Sequence, residues 1–477
     1  MMANSGFGLA AANVVLVTAL AAASPARAQG QPHTLQQALA ATYAASPTLQ
    51  AARANLRATD ESVPAALAGW RPQVVLSGDA GVDGAKVTSI SKNPFTRART
   101  RSGSSLDRSQ TDASLTVTQP LYRGGRTTAA TNKAENGVMA TRAQLIATEE
   151  QVFTNVVQGY VGVISNAQVL QLDINNEQVL SRQLQATNDR FRVGEITRTD
   201  VAQAEAALAG ATATRQSAEG TLQTSRATYQ QLVGEVPDNL TEPQPLKLPT
   251  RTEQDASRLA SSNNPNVVAA LFNDASAKDN FDLAYSALMP NLSLQGSVFR
   301  NENQVQNGLI GQGGQVLANL SWPIYQGGSE YAAIRQARQQ EQQARKQLED
   351  ARRTAVQQAV SSWETYTAQK ATITSNRAAI RSNEIALEGV QREAIVGSRT
   401  TLDVLNAEQL LLNSRVTLVQ SLANYVIASY SVASAVGRLT ASDLNLSVPL
   451  YSVTAYYKAV KDRWIGTGDF ATEQPGR

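Results

Sequence analysis

Gln119-Pro120-Leu121-Tyr122-Arg123-Gly124-Gly125 and Trp322-Pro323-Ile324-Tyr325-Gln326-Gly327-Gly328 are two versions of one segment. Working outward, the match continues at a fixed spacing. Pro120 and Pro323, Gly194 and Gly397, and Gly234 and Gly437 all lie 203 positions apart. Upstream the spacing changes: Pro47 and Pro265, and Pro72 and Pro290, lie 218 positions apart. Several matches at one spacing, with a single change of register, indicate an internal duplication. The change places 15 extra residues in the first copy, between Pro72 and Pro120.

Each copy is predicted to open with a helix, over 35–68 and 252–287, that contains a Ser-Pro or Asn-Pro start signal and stops before a Pro. A hairpin follows, over 73–121 and 291–324. Leu292, Leu294, Gly296 and Val298 alternate with Ser293, Gln295 and Ser297, and Ala113, Leu115 and Val117 alternate with Ser114, Thr116 and Thr118. Such period-two segments of about 9–11 residues fit strands with lipid on one side and water on the other. They fit a half-buried soluble hairpin equally well. Pro120 and Pro323 are expected to stop the ladder, with Gly124, Gly125, Gly327 and Gly328 redirecting the chain.

Long helices over 128–192 and 330–396 come next, and neither range contains a Pro. About 65 residues at 1.5 Å each reach on the order of 100 Å, too long for a compact domain. Val152, Phe153, Val156, Val157, Tyr160, Val163 and Ile164 make a stripe wider than a two-helix seam, so neighbours are expected on both sides. Gly194 and Gly397 break the helices, and return helices are expected over 199–232 and 401–436. Each begins with Thr and Asp, residues suited to a helix N-terminus.

Composition agrees with narrow apolar seams: hydrophobic residues are 42% and aromatics 5%. No Cys is present and the one His is His33, so thiolate metal sites and disulfides are excluded and no cofactor or metal is expected. No H-E-x-x-H, G-x-x-x-x-G-K-[ST] or G-x-S-x-G motif points to an enzyme. The apolar run 14–23 followed by Ala26-Arg27-Ala28 is expected to be a signal peptide cut after Ala28. The resulting divisions are 1–28 signal, 29–248 first repeat, 249–437 second repeat, and 438–477 an equatorial segment and tail. Basic and acidic residues nearly balance, which gives no case for nucleic acid. No later apolar stretch of about 18 residues is evident, so a membrane role is expected to use β-strands.

Four strands are too few to close a barrel, and lipid does not tolerate open edges. The chain is therefore expected to associate with cyclic symmetry, as a dimer, trimer or tetramer.

The two Pro-Leu/Ile-Tyr-x-Gly-Gly segments, Phe191-Arg192-Val193-Gly194 with Thr199-Asp200-Val201, and the run from Val396 through Ser398-Arg399-Thr400-Thr401-Leu402-Asp403 to Leu405 resemble the TolC-type outer-membrane efflux and type I secretion channel family. The resemblance covers about 35–464. It implies a homotrimer with a twelve-stranded transmembrane β-barrel in the outer membrane, four strands from each chain. The barrel would continue into a long α-helical periplasmic tunnel. That tunnel would dock onto a periplasmic adaptor (a membrane fusion protein) and an inner-membrane pump or ABC exporter. It also implies a tunnel end closed by an ionic network and lined by Asp rings. The matching positions are Arg399 on one turn, Thr199 and Asp200 on the other, and Asp403 at the innermost ring. Asn406 stands where a second Asp is common and Ala394 where a gating Tyr occurs, which implies a weaker lock and lower cation selectivity. Read from the residues alone, Asp200 and Asp403 serve equally as helix N-terminal acids.

Two further expectations follow. Segment 84–110 carries Lys86, Lys92, Arg97, Arg99, Arg101 and Arg108 against Asp107. It is expected to be an exterior loop, either contacting lipopolysaccharide phosphates or simply mobile and soluble. The alternative function is an adaptor-like coiled-coil protein of an export system, which would need neither the four amphipathic strands nor the duplication.

Overall fold

The computed structural model describes residues 34–304, 307–468 and 470. The expected signal peptide and the last residues of the tail lie outside them. The chain runs α1 (Leu35–Ala45), α2 (Pro47–Asp60), α3 (Ser62–Leu67), β1 (Gln73–Lys92), β2 (Arg99–Tyr122), α4 (Arg126–Arg192) and α5 (Arg198–Val233). It then runs α6 (Glu253–Asn263), α7 (Pro265–Tyr285), β3 (Asn291–Glu302), β4 (Ile310–Ser321), α8 (Ser329–Ile395), α9 (Thr401–Ala435) and α10 (Ala455–Val460).

The two opening helices are each broken where one continuous helix was expected. Pro47 and Pro265 lack an N–H and can only start a helix, so the preceding residue becomes the cap. Ser46 accepts a hydrogen bond from Leu49 N at 3.5 Å, and Asn264 accepts one from Asn266 N at 3.0 Å. Both helices α4 and α8 are 67 residues long. At 1.5 Å per residue each spans about 100 Å.

The strands form one antiparallel sheet in the order β1-β2-β3-β4, so the second hairpin pairs directly with the first. Register divides the faces. Val74 and Leu76 lie opposite Val117 and Leu115. Those two pair in turn with Gly296 and Val298, and these with Val316 and Gly314. On this apolar face Leu76 is 77% exposed and Val316 73% exposed. The other face carries Ser77, Asp79, Asp83, Ser114, Thr116, Ser297 and Gln315, with Val75 and Leu317 among them. β1 and β4 each have a neighbour on one side only.

Two expectations about the strands and one about the helices change. Segment 84–110 is no loop. β1 and β2, of 20 and 24 residues, stay paired from Gly84/Asp107 to Lys92/Arg99, and only 93–98 turns. Asn93 orders that turn by accepting from Phe95 N at 2.9 Å and Thr96 N at 3.3 Å. Pro120 does not end β2. It pairs with Ser293, and a bulge before Tyr122 absorbs the irregularity. In the second copy β4 does stop at Ser321, one residue before Trp322-Pro323. Among the described helices, Thr401–Ala435 is long and apolar enough to cross a bilayer, at a mean hydropathy of 1.2, contrary to the sequence expectation. Its C-terminal part packs inward, where Val426, Tyr430 and Ala433 join the central core, while Leu402 and Leu410 stay exposed.

That core sits halfway along α4. Val152, Phe153, Val156, Val157, Tyr160 and Val161 meet Leu35, Leu39 and Tyr43 of α1 on one side. On others they meet Tyr229 of α5, Val426 and Tyr430 of α9, and Leu439. Phe153 and Tyr160 are fully buried, each removing apolar area worth about 2–3 kcal/mol from water. The wide stripe thus serves contacts on several sides. The segment between the copies joins here, with Tyr160 Oη donating to Thr241 O at 2.8 Å and Leu246 N donating to Ser429 Oγ at 2.9 Å. The segment after Gly437 starts at the same level, where Leu439 N donates to Glu150 at 3.2 Å and Ala441 N to Glu149 at 2.6 Å, and then runs along α4 toward the sheet, where Lys461 pairs with Glu135 at 3.1 Å.

Candidate functional site

Two features set this architecture apart: the sheet with its junctions, and the helical turns at the far ends of α4 and α8. The turns are built alike. Gly194 and Gly397 take φ of 80° and 78°, the left-handed region a side chain disfavours. Glu195 N donates to Arg190 O at 3.0 Å and Gly194 N to Phe191 O at 3.0 Å. Ser398 N donates to Glu393 O at 3.0 Å and Gly397 N to Ala394 O at 3.2 Å. Both are Schellman ends, which satisfy the last carbonyls of the long helices.

Return helices start on capping boxes. Thr197 N donates to Asp200 Oδ2 at 2.9 Å while Asp200 N donates to Thr197 Oγ1 at 3.3 Å. Thr400 N and Asp403 do the same at 2.9 and 3.2 Å. The cap in the first copy is therefore Thr197, not Thr199, and Thr197 and Thr400 keep the repeat spacing. Hydrogen bonds from the Thr197 hydroxyl and backbone hold the Asp200 carboxyl below the usual carboxylate range, and those from the Thr400 backbone and hydroxyl do so for Asp403. Both acids stay ionised at neutral pH.

Arg399 is exposed and pairs within its own turn: its Nε donates to Glu393 Oε2 at 2.8 Å. Glu393, with Asp403 as a weaker influence, pushes the guanidinium pKa up. At the same repeat position the first copy has Ile196, so Arg399 has no counterpart. That turn instead carries the pairs Arg190–Glu195 at 3.0 Å and Arg192–Asp189 at 3.2 Å. Exposed pairs of this kind are individually weak and salt-sensitive.

Within one chain the two turns stay apart. Leu405, two residues beyond Asp403, packs with Leu180 and Ala211. Leu180 is 14 residues before Gly194, about 20 Å along α4. Among the described residues no hydrogen bond or ion pair joins one turn to the other. Asn406 is exposed on the same side of α9 as Leu402 and Leu410. Nothing in the sequence pointed to Glu393 as the partner of Arg399, and the expected return helix placed Thr199 in its first turn without pointing to the cap, Thr197. The Thr-x-x-Asp spacing would have located the cap.

At the other end, Gly124, Gly125, Gly327 and Gly328 all have positive φ, between 59° and 87°. A side chain at Gly124 would overlap Met289, just before β3, so the first junction is locked against the second hairpin. The residue before each Pro ties back to its copy's opening helices: Gln119 Nε2 donates to Trp70 O at 2.9 Å and Trp322 Nε1 to Leu288 O at 3.2 Å.

The model of the family described as outer membrane efflux protein matches residues 15–235 and 256–438. The chain belongs to the outer membrane efflux protein family. The efflux protein BepC of Brucella suis is 34% identical over 434 residues, spanning 91% of each chain. Outer membrane protein TolC of Vibrio cholerae is 26% identical, over 70% of this chain and 78% of its own. In fold, the chain is similar to the outer membrane protein VceC of Vibrio cholerae, at a TM-score of 0.71 and 20% identity, covering 84% of this chain and 96% of that one. This efflux protein is accordingly an outer-membrane channel protein, and its relatives are channels, not enzymes. Family membership sets the adaptor alternative aside.

Proposed function

We propose that three copies of this chain close one barrel and form the outer-membrane exit duct of a tripartite efflux pump or a type I secretion system. Substrate would pass from an inner-membrane pump or ABC exporter, through a periplasmic adaptor, to the exterior. The observation that carries this reading is the open four-stranded sheet, apolar on one face and polar on the other, continuous with helices about 100 Å long. Its edges, β1 and β4, lack partners, and lipid demands that they find some. Three sheets joined edge to edge give twelve strands, enough for a water-filled lumen. The repeated order of helix pair, hairpin, 67-residue helix and return helix supports descent of each chain from a duplicated unit. Three such chains then make a quasi-sixfold tube. The residues after a cleaved signal would divide as first repeat, second repeat and equatorial segment.

The turns are proposed as the gate. Threefold symmetry would bring three Asp403 carboxylates near one axis, a ring that favours cations. Glu393 and Arg399 supply a charge pair that re-pairing across neighbouring turns would convert into a latch. The first test is electrical. The mature chain, purified and added to a planar bilayer, should conduct. Absence of any conductance from correctly folded, membrane-inserted protein would overturn the reading.

A further inference from the structure

The 15 extra residues of the first copy form a two-stranded ribbon that outruns the rest of the sheet. β3 ends at Glu302, opposite Thr111, whereas β1 and β2 continue as a pair to Lys92 and Arg99. Because side chains alternate along a strand, register decides where the cations of the ribbon go. Lys86, Lys92, Arg99 and Arg101 occupy the same face as Val74, Leu76, Val82, Leu115 and Val117. Arg108 is on the polar face, bound to Asp83 at 3.2 Å. Past Val82, Asp107 is the one acid on the cationic face, opposite Gly84.

Along β1 and β2 the pattern on that face is apolar and then basic, while on β3 the same face carries the Arg300–Glu302 pair, at 2.6 Å, level with Gly78 and Ala80. Val74 to Val82 covers eight residue steps, about 27 Å of strand, or roughly 20 Å of membrane height at the usual barrel tilt. Lys86 then falls about 10 Å beyond the apolar band, with Lys92, Arg99 and Arg101 further out. Lys92 faces Arg99 directly across the ladder, with Arg101 diagonal to Lys92. Like charges placed so repel unless an anion lies between them.

We infer that this face of the ribbon binds the phosphate groups of outer-leaflet glycolipid, lipopolysaccharide, as a continuation of the lipid-facing surface. The inference rests on the outer-membrane reading above. Phosphate matches the site chemically: Arg grips it bidentately and Lys as a point charge. Four of the six cations of 84–110 lie on the lipid-facing side, a bias that a merely soluble tip would not need.

The test reconstitutes the full mature protein in planar bilayers and in vesicles, with either lipopolysaccharide or zwitterionic phospholipid in the outer leaflet. A cation near an anionic lipid surface contributes roughly fivefold in affinity. The variant carrying K86Q, K92Q, R99Q and R101Q should therefore lose on the order of a hundredfold or more of lipopolysaccharide affinity at low salt, and most of its salt dependence. It should conduct as wild type does. The charge-conserving variant K86R, K92R, R99K and R101K should retain binding. If wild type conducts but shows no preference for lipopolysaccharide, or the Gln variant keeps it, the inference fails while the channel reading stands. If wild type never inserts into a bilayer, both fail.

Discussion

Glu150→Gln is predicted to stabilise the packing of the segment after Gly437 on α4 and to flatten its response to pH. Glu150 is 4% exposed in the middle of α4, where its Oε1 accepts Leu439 N at 3.2 Å. Burial pushes its carboxyl from 4.5 up to about 8; the Leu439 N–H opposes this, and the charges of Glu149 and Asp443 add to it. Burial pushes Glu149 up as well, against the Ala441 N–H and the Arg53 guanidinium. The folded protein thus keeps the Glu150 proton through a window, 4.5 to about 8, in which the unfolded chain has lost it. Stability must fall as pH rises across that window and level off above it. At about 1.4 kcal/mol per decade, the loss is on the order of a few kcal/mol. Gln has the same size, keeps an oxygen for Leu439 N, and has no proton to lose. The variant should melt above wild type at pH 9 and converge with it near pH 4.5. Amide exchange at Leu439 and Ala441 should slow in parallel. Wild-type and variant melting curves that run parallel at every pH would refute the reasoning.

Three further outcomes follow from the turns and junctions. Arg399→Ser should raise single-channel conductance in a planar bilayer, because Glu393 and Asp403 lose their common cation; unchanged conductance would remove Arg399 from the gate. Asp403→Ala should relieve block by multivalent cations, while Asp200→Ala, on the turn that lacks Arg399, should alter it less; equal effects would remove the distinction between the turns. Gly124→Ala should cost about 1–3 kcal/mol from the positive φ and the overlap with Met289, read as a lower melting temperature; a neutral substitution would show the junction to be loosely packed.

Most of the architecture was legible because Pro and Gly punctuate it. The Gly-Gly pairs, Gly194 and Gly397 all adopt the positive φ that only glycine supplies freely, and the long helices lie between them without a Pro. Segment 84–110 was misread because Gly, Ser and charged residues mimic a loop. Its alternation was present in the spacing of Lys86 and Lys92, and of Arg99 and Arg101, but composition outweighed it. Pro120 was misjudged because a bulge let the ladder continue past it. The opening helices were drawn whole because Ser46 and Asn264 were credited only as start signals, although a Pro one residue later also ends what precedes it. Glu149 and Glu150 drew no expectation from the sequence. Their partners, Ala441 and Leu439, lie some 290 positions away in the chain, beyond any local pattern.

Closure of the sheet by three copies is tested most directly with cysteines, since the native chain has none. One cysteine would replace Ser77, Asp79 or Gly81 on the polar face of β1. A second, in the same chain, would replace Gln315, Leu317 or Asn319 on the polar face of β4. In one of these registers, oxidation of the protein in outer-membrane vesicles should give covalent dimers and trimers and nothing larger, with both single-cysteine variants uncrosslinked. Failure to crosslink in every register, or a ladder running past three chains, would contradict a barrel closed by three chains.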